Sequence, residues 1–328
     1  MASSSVWKDN TILRKWLKKY SLDFLDGNFN YDLTDYLSDP LLNALAKKLN
    51  IDKEYIYMGA GSSQIITNIL NLKVWNKIFI TSPEFGLYDR NLEKNSINHV
   101  KIECITTVDF VNKLSSIKST EEDLLCLSSP RWFSGERFSD EQIYTILQEF
   151  KGTILVDEAY IAYSDNEKGL IDLAINNARI ILLRSFSKTY FASGFRIGYI
   201  ITTKKIDGLR DTFIAPHSIS TCSARFATSL INDDKLQKIF SNTRKLVNKN
   251  RDIIYDNLKN NGNFNVIKSE ANFITLIFQK RQEFSKCYEL LKDLPGIQKF
   301  DNNITFIKIW ISNKEFSLKI LKRLEQLK

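Results

Sequence analysis

The sequence predicts an α/β fold: a large domain with a mostly parallel sheet flanked by helices, followed by a smaller α+β domain. Three observations carry this. From about Ile51 onward, short runs rich in Ile, Leu and Val alternate with helical patterns. Each run stops at a proline, a glycine or a polar cluster. Beyond about Ala224 the pattern changes to one long amphipathic helix and then further strands. Apolar strands buried on both faces and separated by helices are the mark of a parallel sheet covered on both sides. A chain of 328 residues is long enough for two such units. We place an amino-terminal arm, part of the small domain, over 1–30, a large ligand-binding domain over 31–224 and a small carboxyl-terminal domain over 225–328.

Taken in order, EYIYMGAGSS reads as an extended segment that breaks at glycines. Ile65, Ile66, Ile69 and Leu70 then follow helical spacing, so a helix begins near Gly61 to Ser63. KIFITS (77–82) is a strand ended by Pro83, and DLLCLSSP (123–130) another ended by Pro130. TILVDEAY (153–160) is an apolar run closing on two carboxylates, RIILLRSFSK (179–188) repeats the scheme, and RIGYIITT (196–203) follows closely. Leu236, Ile239, Phe240, Leu246, Val247, Ile253, Ile254 and Leu258 trace one face of a long helix, whose basic residues lie on its solvated side. ANFITLIF (271–278) and ITFIKIWIS (304–312) are strands of the smaller unit, and a last helix runs to Lys328.

Composition narrows the function. With 43% hydrophobic and 26% charged residues the chain is an ordinary globular protein. Its net charge of +8 is spread without a block of like charge, so it argues for small anionic ligands and against nucleic acid. Cys104, Cys126, Cys222 and Cys287 are scattered, and His99 and His217 are the only histidines. A metal site and a disulfide framework therefore have no support, and buried, reduced thiols are expected. MASSSVWKDN has no apolar region of the secretory kind, and no run approaches membrane-spanning length. A soluble, cytoplasmic protein is the expectation.

In open α/β sheets ligands collect at the carboxyl ends of the strands. Gly61, Ser62 and Ser63 open a helix, and free backbone N–H groups there suit a phosphate. Asp157 ends a buried strand, where a lone carboxylate is costly unless it meets a cation or a donor. Tyr160 can bring a phenol to the same place. Lys188 offers an amine that desolvation can turn into a nucleophile able to form a Schiff base. Ser185, Ser187 and Arg196 surround it with hydroxyls and a guanidinium fork. An aldehyde for Lys188, a protonated ring nitrogen for Asp157 and a phosphate for the rest describe pyridoxal 5′-phosphate (PLP). Individually the residues have plainer readings: a core ring at Phe85, an ordinary tyrosine at Tyr36, a carboxylate in a structural ion pair at Asp157, next to Glu158. It is the joint pattern that selects the cofactor.

GAGSSQI (59–65), SPEFGLYDR (82–90), VDEAYIAYS (156–164), SFSKTYFASGFRIGY (185–199) and SEANF (269–273) stand in the order and spacing of a known family. On these motifs the chain, from Tyr36 to its end, resembles the fold-type-I PLP-dependent aminotransferases (class I/II), in the histidinol-phosphate aminotransferase-like branch. The resemblance implies that Phe85 stacks on the pyridine ring and that Tyr160 hydrogen-bonds the ring 3′-oxygen. It also implies a homodimer with shared active sites, in which Tyr36 of DYLSDP reaches the partner's phosphate site.

Three departures bear on the substrate. Where the family carries an Asn-Pro-rich loop, this chain has SPRWFSG (129–135), with Trp132 in place of the cofactor-binding asparagine. An indole donates one hydrogen bond and cannot copy an amide. Where the family grips the substrate α-carboxylate with a late arginine, FIKIW puts Lys308, a point charge without the fork. Either carboxylate recognition is altered, or Arg131 in the changed loop supplies the guanidinium, or Lys308 is an ordinary residue one register off. Third, the arm is short, and NFN, beginning at Asn28, only partly matches the family's Asn-x-Asn element over the entrance.

The expected activity is PLP-dependent transamination between a small amine or amino acid, possibly phosphorylated, and a keto acid or other carbonyl compound, with glutamate as donor. Lys188, Asp157 and Tyr160 form the catalytic set. The alternative is a decarboxylase of a (phospho)amino acid, as in the threonine-phosphate decarboxylases of the same branch; oxidation or cyclisation of amino acids are further variants. A non-catalytic binding module is the third class, and the joint presence of Lys188, Asp157 and Arg196 argues against it.

Overall fold

A computed structural model of the chain describes residues 10–26, 39–205 and 219–327. The large sheet is built from β1 (Ile56–Gly59), β2 (Ile78–Ser82), β3 (His99–Glu103), β4 (Leu124–Ser128), β5 (Thr153–Asp157), β6 (Ile180–Ser185) and β7 (Gly198–Ile201). Their order across the sheet is β1-β7-β6-β5-β4-β2-β3. The run from β3 to β6 is parallel throughout, and β7 lies antiparallel to both neighbours.

The central strands are buried along their whole length because both faces are covered. Side chains alternate across a strand. On one face Ile80, Leu124, Cys126, Leu155 and Leu183 pack with Ile65, Ile66 and Ile69 of the helix Gly61–Leu70. On the other, Leu125, Leu127, Ile154, Val156 and Leu182 join the main core with Ile143 and Ile146 of the helix Asp140–Glu149. The helix Thr11–Asp26 contributes Leu13 to that core, and Trp16 meets Phe226 edge-on with ring centroids 5.7 Å apart.

The small sheet is antiparallel, in the order β10-β11-β9-β8, with β8 (Asn265–Val266), β9 (Phe273–Phe278), β10 (Ile297–Asp301) and β11 (Thr305–Trp310). Helices Asp234–Leu258, Arg281–Leu291 and Lys314–Leu324 accompany it. Ile274, Leu276, Ile307 and Ile309 belong to the main core together with residues of these helices. The period of two turns Phe273, Thr275, Phe306, Lys308 and Trp310 to the opposite face, where register sets Lys308 beside Thr275 and Trp310 beside Phe273. That face meets the loop after β4: Thr275 donates its hydroxyl proton to the Phe133 carbonyl at 2.6 Å, and Phe133 packs on Phe306 at 4.9 Å.

Three edge strands, β3, β8 and β10, escape a reading by apolar runs: β3 and β10 are half-exposed and largely polar, and β8 has only two residues. The expectation for the thiols needs one correction. Cys104, Cys126 and Cys287 are buried and free, whereas Cys222, in the first turn of the helix Thr221–Asn232, is exposed. Among the described residues no helix is long and apolar enough to cross a membrane.

Candidate active site

The parallel strands end on Ser82, Ser128, Asp157 and Ser185, and these ends form the floor of the site. Asp157 is buried between Ser128 and Leu183 of the flanking strands. One carboxylate oxygen accepts the Ala159 N–H at 2.9 Å. Burial pushes its pKa up to about 7, the charges of Glu84 and Glu158 push the same way, and no cation offsets them. Its neighbour Glu158 is the structural ion pair: it takes Arg184 at 2.6 and 3.0 Å and the Leu170 N–H at 2.9 Å. Asp157 is thereby left for another partner.

Lys188 lies on the single turn Phe186–Thr189 directly after β6, whose start is capped by Ser185 Oγ accepting the Ser187 N–H at 3.1 Å. Its Nζ sits 5.4 Å from the centroid of the Tyr160 ring and 5.0 Å from that of Trp310. Burial alone draws its pKa below the usual lysine value. Tyr160 is itself buried against Phe273, with ring centroids 5.3 Å apart, and burial raises its phenol well above the ordinary range.

The helix Gly61–Leu70 starts without a side-chain cap, so the N–H groups of its first turn, at Ser62 and Ser63, face outward unmatched by a capping oxygen. Gly61 has φ +79, and a Cβ there would fall 2.6 Å from Nη2 of Arg196. A Cβ on Gly198 would fall 2.7 Å from the Ser62 nitrogen, and Gly198 pairs with Ser185 across β6 and β7. Two glycines thus let a helix start, a strand end and a guanidinium converge. Arg196 is exposed, takes a left-handed conformation and donates to the Ser193 carbonyl at 3.1 Å. Uncapped N–H groups, hydroxyls and a fork around one point form an anion cup.

A second cluster closes the site where the segments after β2 and β4 meet the small sheet. Phe85 is half-buried, its ring 6.3 Å from that of Trp132 and tilted by 44°. Trp132 packs edge-on to Phe300 at 5.4 Å. Lys308 is wholly buried with its Nζ 3.5 Å from the centroid of Trp132 and 4.2 Å from that of Phe273, and it donates to the Trp132 carbonyl. Burial draws this lysine well below its usual pKa, and the charge of Lys188 adds to the effect.

Most of the residues singled out in the sequence are brought together: Gly61, Ser62, Ser63, Ser185, Ser187 and Arg196 at the cup, Asp157, Tyr160 and Lys188 at the floor, Phe85, Trp132 and Lys308 at the wall. Arg131 is not. Its guanidinium is turned into the interior, donating to the carbonyls of Ile105 at 2.9 Å and Cys104 at 3.0 Å, so it supplies no fork to the site. Lys308 is in register at the site, yet sealed rather than presented. Tyr36 and Asn28 lie outside the described residues. Sequence reasoning missed Trp310, which lies two residues from Lys308 on one strand face, and Glu84, a buried carboxyl inside the SPEFGLYDR stretch.

PLP fits these groups on the strength of the structure itself. A buried carboxyl without a cation stands at one strand end, a desolvated amine follows the next, and an uncapped helix start faces an arginine.

Comparison with known proteins agrees. The family model described as aminotransferase class I and II matches residues 8–321. A histidinol-phosphate aminotransferase of Flavobacterium johnsoniae is 27% identical over 293 residues, covering 81% of this chain and 82% of that one. The structure of histidinol-phosphate aminotransferase from Sinorhizobium meliloti in complex with PLP superposes with a TM-score of 0.77 at 18% identity, over 95% of this chain and 87% of that one. That of L-threonine-O-3-phosphate decarboxylase from Porphyromonas gingivalis does so with 0.71 at 18% identity, over 94% and 96%. At such identities the structures establish the fold, a fold-type-I transferase. The chain belongs to the family of class I and II aminotransferases, and it is a PLP-dependent aminotransferase.

Proposed function

We propose that the chain moves an amino group between a small amine or amino acid and a carbonyl compound, with Lys188 as the residue that binds the cofactor and shuttles the proton. PLP supplies an aldehyde that condenses with amines and a ring that withdraws electrons from the bond being broken. The observation that carries the reading is Lys188 itself: a desolvated amine with no acidic partner acting on it among the described residues, at the strand end next to that of Asp157. Drawn toward its neutral form, its Nζ can take the proton from the substrate Cα and return it on the cofactor side. Asp157, at the floor, holds the proton of the ring nitrogen, for which its burial and missing cation prepare it. Ser62, Ser63, Ser185, Ser187 and Arg196 hold the phosphate, and Phe85 covers the ring. Tyr160 donates to the ring oxygen; the indole at Trp132 cannot take over the second tie that an asparagine makes.

The relatives named histidinol-phosphate aminotransferase support a small, phosphorylated amino compound as substrate, and glutamate is the donor proposed with it. The resemblance of the sequence motifs extends the proposal to a homodimer working in the cytoplasm, with Tyr36 assigned to the partner's phosphate site and Asn28 to the entrance.

A decarboxylase reading draws on one observation. Both cations that sequence reasoning set aside for the substrate carboxylate, Arg131 and Lys308, are buried and engaged with backbone carbonyls. A carboxylate that is not gripped is free to stand perpendicular to the ring, the orientation in which it leaves.

The deciding experiment is a set of absorption spectra of the purified protein with glutamate, alanine, histidinol phosphate and phosphothreonine, each followed by a keto acid. Transamination predicts a cofactor band that changes with one amine and returns only with the keto acid. Return without a keto acid, accompanied by carbon dioxide, establishes the decarboxylase. Spectra that stay unchanged with every amine, in a protein that binds PLP, overturn both.

A further inference from the structure

Glu84 lies behind the wall of the site, buried and without a lysine or arginine in ion-pair contact among the described residues. Its ties are all hydrogen bonds. Oε1 accepts the Phe85 N–H at 2.9 Å, while Oε2 accepts the hydroxyls of Thr81 at 3.1 Å and Ser128 at 2.7 Å. The chain of contacts continues. Ser128 Oγ accepts the Trp132 N–H at 2.7 Å, and the Trp132 carbonyl accepts from Lys308. One carboxyl group therefore holds the segment after β2 that carries Phe85 and, through Ser128, the segment after β4 that carries Trp132.

Packing alone does not account for the arrangement. The neighbouring strand positions Ile80 and Cys126 show that this part of the sheet takes apolar side chains readily. Apolar contact, however, is non-directional and leaves two loops free to slide by a fraction of an ångström. Hydrogen bonds to a carboxyl have a preferred length and angle, so they fix both segments against one point.

We infer that Glu84 is a positioning residue, which by linking the segments after β2 and β4 sets the gap between Phe85 and Trp132 and so decides which substrates fit beside the cofactor. The identity of the cofactor and substrate in this inference rests on the proposed function; the links do not.

Three variants separate the branches: Ser128→Ala removes the hydroxyl that joins Glu84 to the Trp132 N–H, Glu84→Ala removes the acceptor of the Phe85 N–H and of both hydroxyls, and Glu84→Gln keeps an oxygen for the Phe85 N–H and turns an amide NH2 toward the Thr81 and Ser128 hydroxyls, which then accept. Trp132 emission in the cofactor-free protein is isolated by difference against Trp132→Phe, and folding is checked by circular dichroism. Ser128→Ala should shift Trp132 emission and raise the KM for the amino substrate by about 3–10-fold, as expected for one hydrogen bond, with kcat and PLP affinity changed less than about twofold. Glu84→Ala should add a roughly tenfold loss of PLP affinity through Phe85. Glu84→Gln should keep the wild-type emission. Unchanged Trp132 emission in Ser128→Ala overturns the inference, as does a Glu84→Gln variant that behaves like Glu84→Ala. If PLP fails to bind the wild type, the proposed function falls, while the emission result still decides the links.

Discussion

The cup and the wall of this site are built on opposite plans. At the cup and floor, among the described residues, polar groups lack a counter-charge or a capping side chain: Asp157 has no cation, Lys188 has no acid, and the helix Gly61–Leu70 has no side-chain cap. At the wall, both cations already donate to backbone carbonyls. Lys308 is enclosed by Trp132 and Phe273 and donates to a carbonyl, and the Arg131 fork is turned onto Ile105 and Cys104. Unpartnered groups in a buried place are unfavourable on their own and become favourable when the right ligand arrives. On the proposed function, charge at the cup and floor selects the cofactor, and the space among the aromatic rings of the wall selects the substrate.

The largest effect should follow from Lys188→Ala. Loss of a group that carries the proton predicts a fall in turnover of roughly 10²–10⁴-fold, with the fold and melting temperature kept. Single-turnover kinetics with added PLP would measure it. A variant that keeps more than a tenth of the activity would remove Lys188 from the chemistry.

Asp157→Asn tests whether the floor is held in a state that costs stability. The carboxyl titrates near pH 7 in the folded chain, above its ordinary value of 3.8. The folded, cofactor-free protein thus favours the protonated form. Relative to low pH, its stability falls between about pH 4 and pH 7, by up to about 4 kcal/mol if the carboxylate stays unpartnered. Asparagine carries no such charge. Cofactor-free Asp157→Asn should therefore melt higher than wild type at pH 8 and equally at pH 4, while losing activity by roughly 10–100-fold for want of a charged partner to the ring nitrogen. A melting difference independent of pH would mean that Asp157 is partnered after all.

The same contrast explains what the sequence disclosed. Lys188 and Asp157 were legible because each directly follows or ends a wholly apolar strand, where a charged residue has few structural uses. Most strands of the large sheet and the two central strands of the small one were legible for the same reason; β3, β8 and β10 were not, since HVKIE and IQKFD sit at sheet edges and carry the polarity of loops and β8 has only two residues. The wall was misread because residue type gives a charge but not its direction. Sequence leaves open whether Arg131 or Lys308 grips a carboxylate or whether its recognition is altered, and only packing reveals that both cations are sealed. Trp310 could have been found, since the strand period places it beside Lys308. Nothing local marks Glu84, whose role depends on Ser128, forty-four residues away in sequence.

Lys308→Met would sharpen the view of the wall. Burial holds this lysine well below its usual pKa, so the folded state disfavours the ammonium. Wild type loses stability as pH falls from the unfolded value of about 10.4, and the variant does not. The variant should be as stable or more stable by about 1–4 kcal/mol, with a larger gain near pH 6 than near pH 9. PLP affinity should be unchanged. If stability drops instead, the tie to the Trp132 carbonyl matters more than the desolvated charge.

Phe85 belongs to both regions and gives the smallest but most discriminating effect. Its ring faces Trp132 at 6.3 Å, and the same side chain is the one assigned to cover the cofactor. Leucine keeps most of the apolar volume and removes the flat face, so Phe85→Leu isolates the aromatic contribution, about 0.5–1.5 kcal/mol. If that contribution is made to the cofactor, PLP binds about 3–10-fold more weakly and the melting temperature of the cofactor-free protein stays the same. If it is made to Trp132, the cofactor-free protein melts lower and PLP affinity holds. The first outcome places the boundary between charge-selected and shape-selected recognition beyond Phe85, at Trp132; the second moves Phe85 into the wall and leaves the ring of PLP held by Asp157, Tyr160 and Lys188 alone.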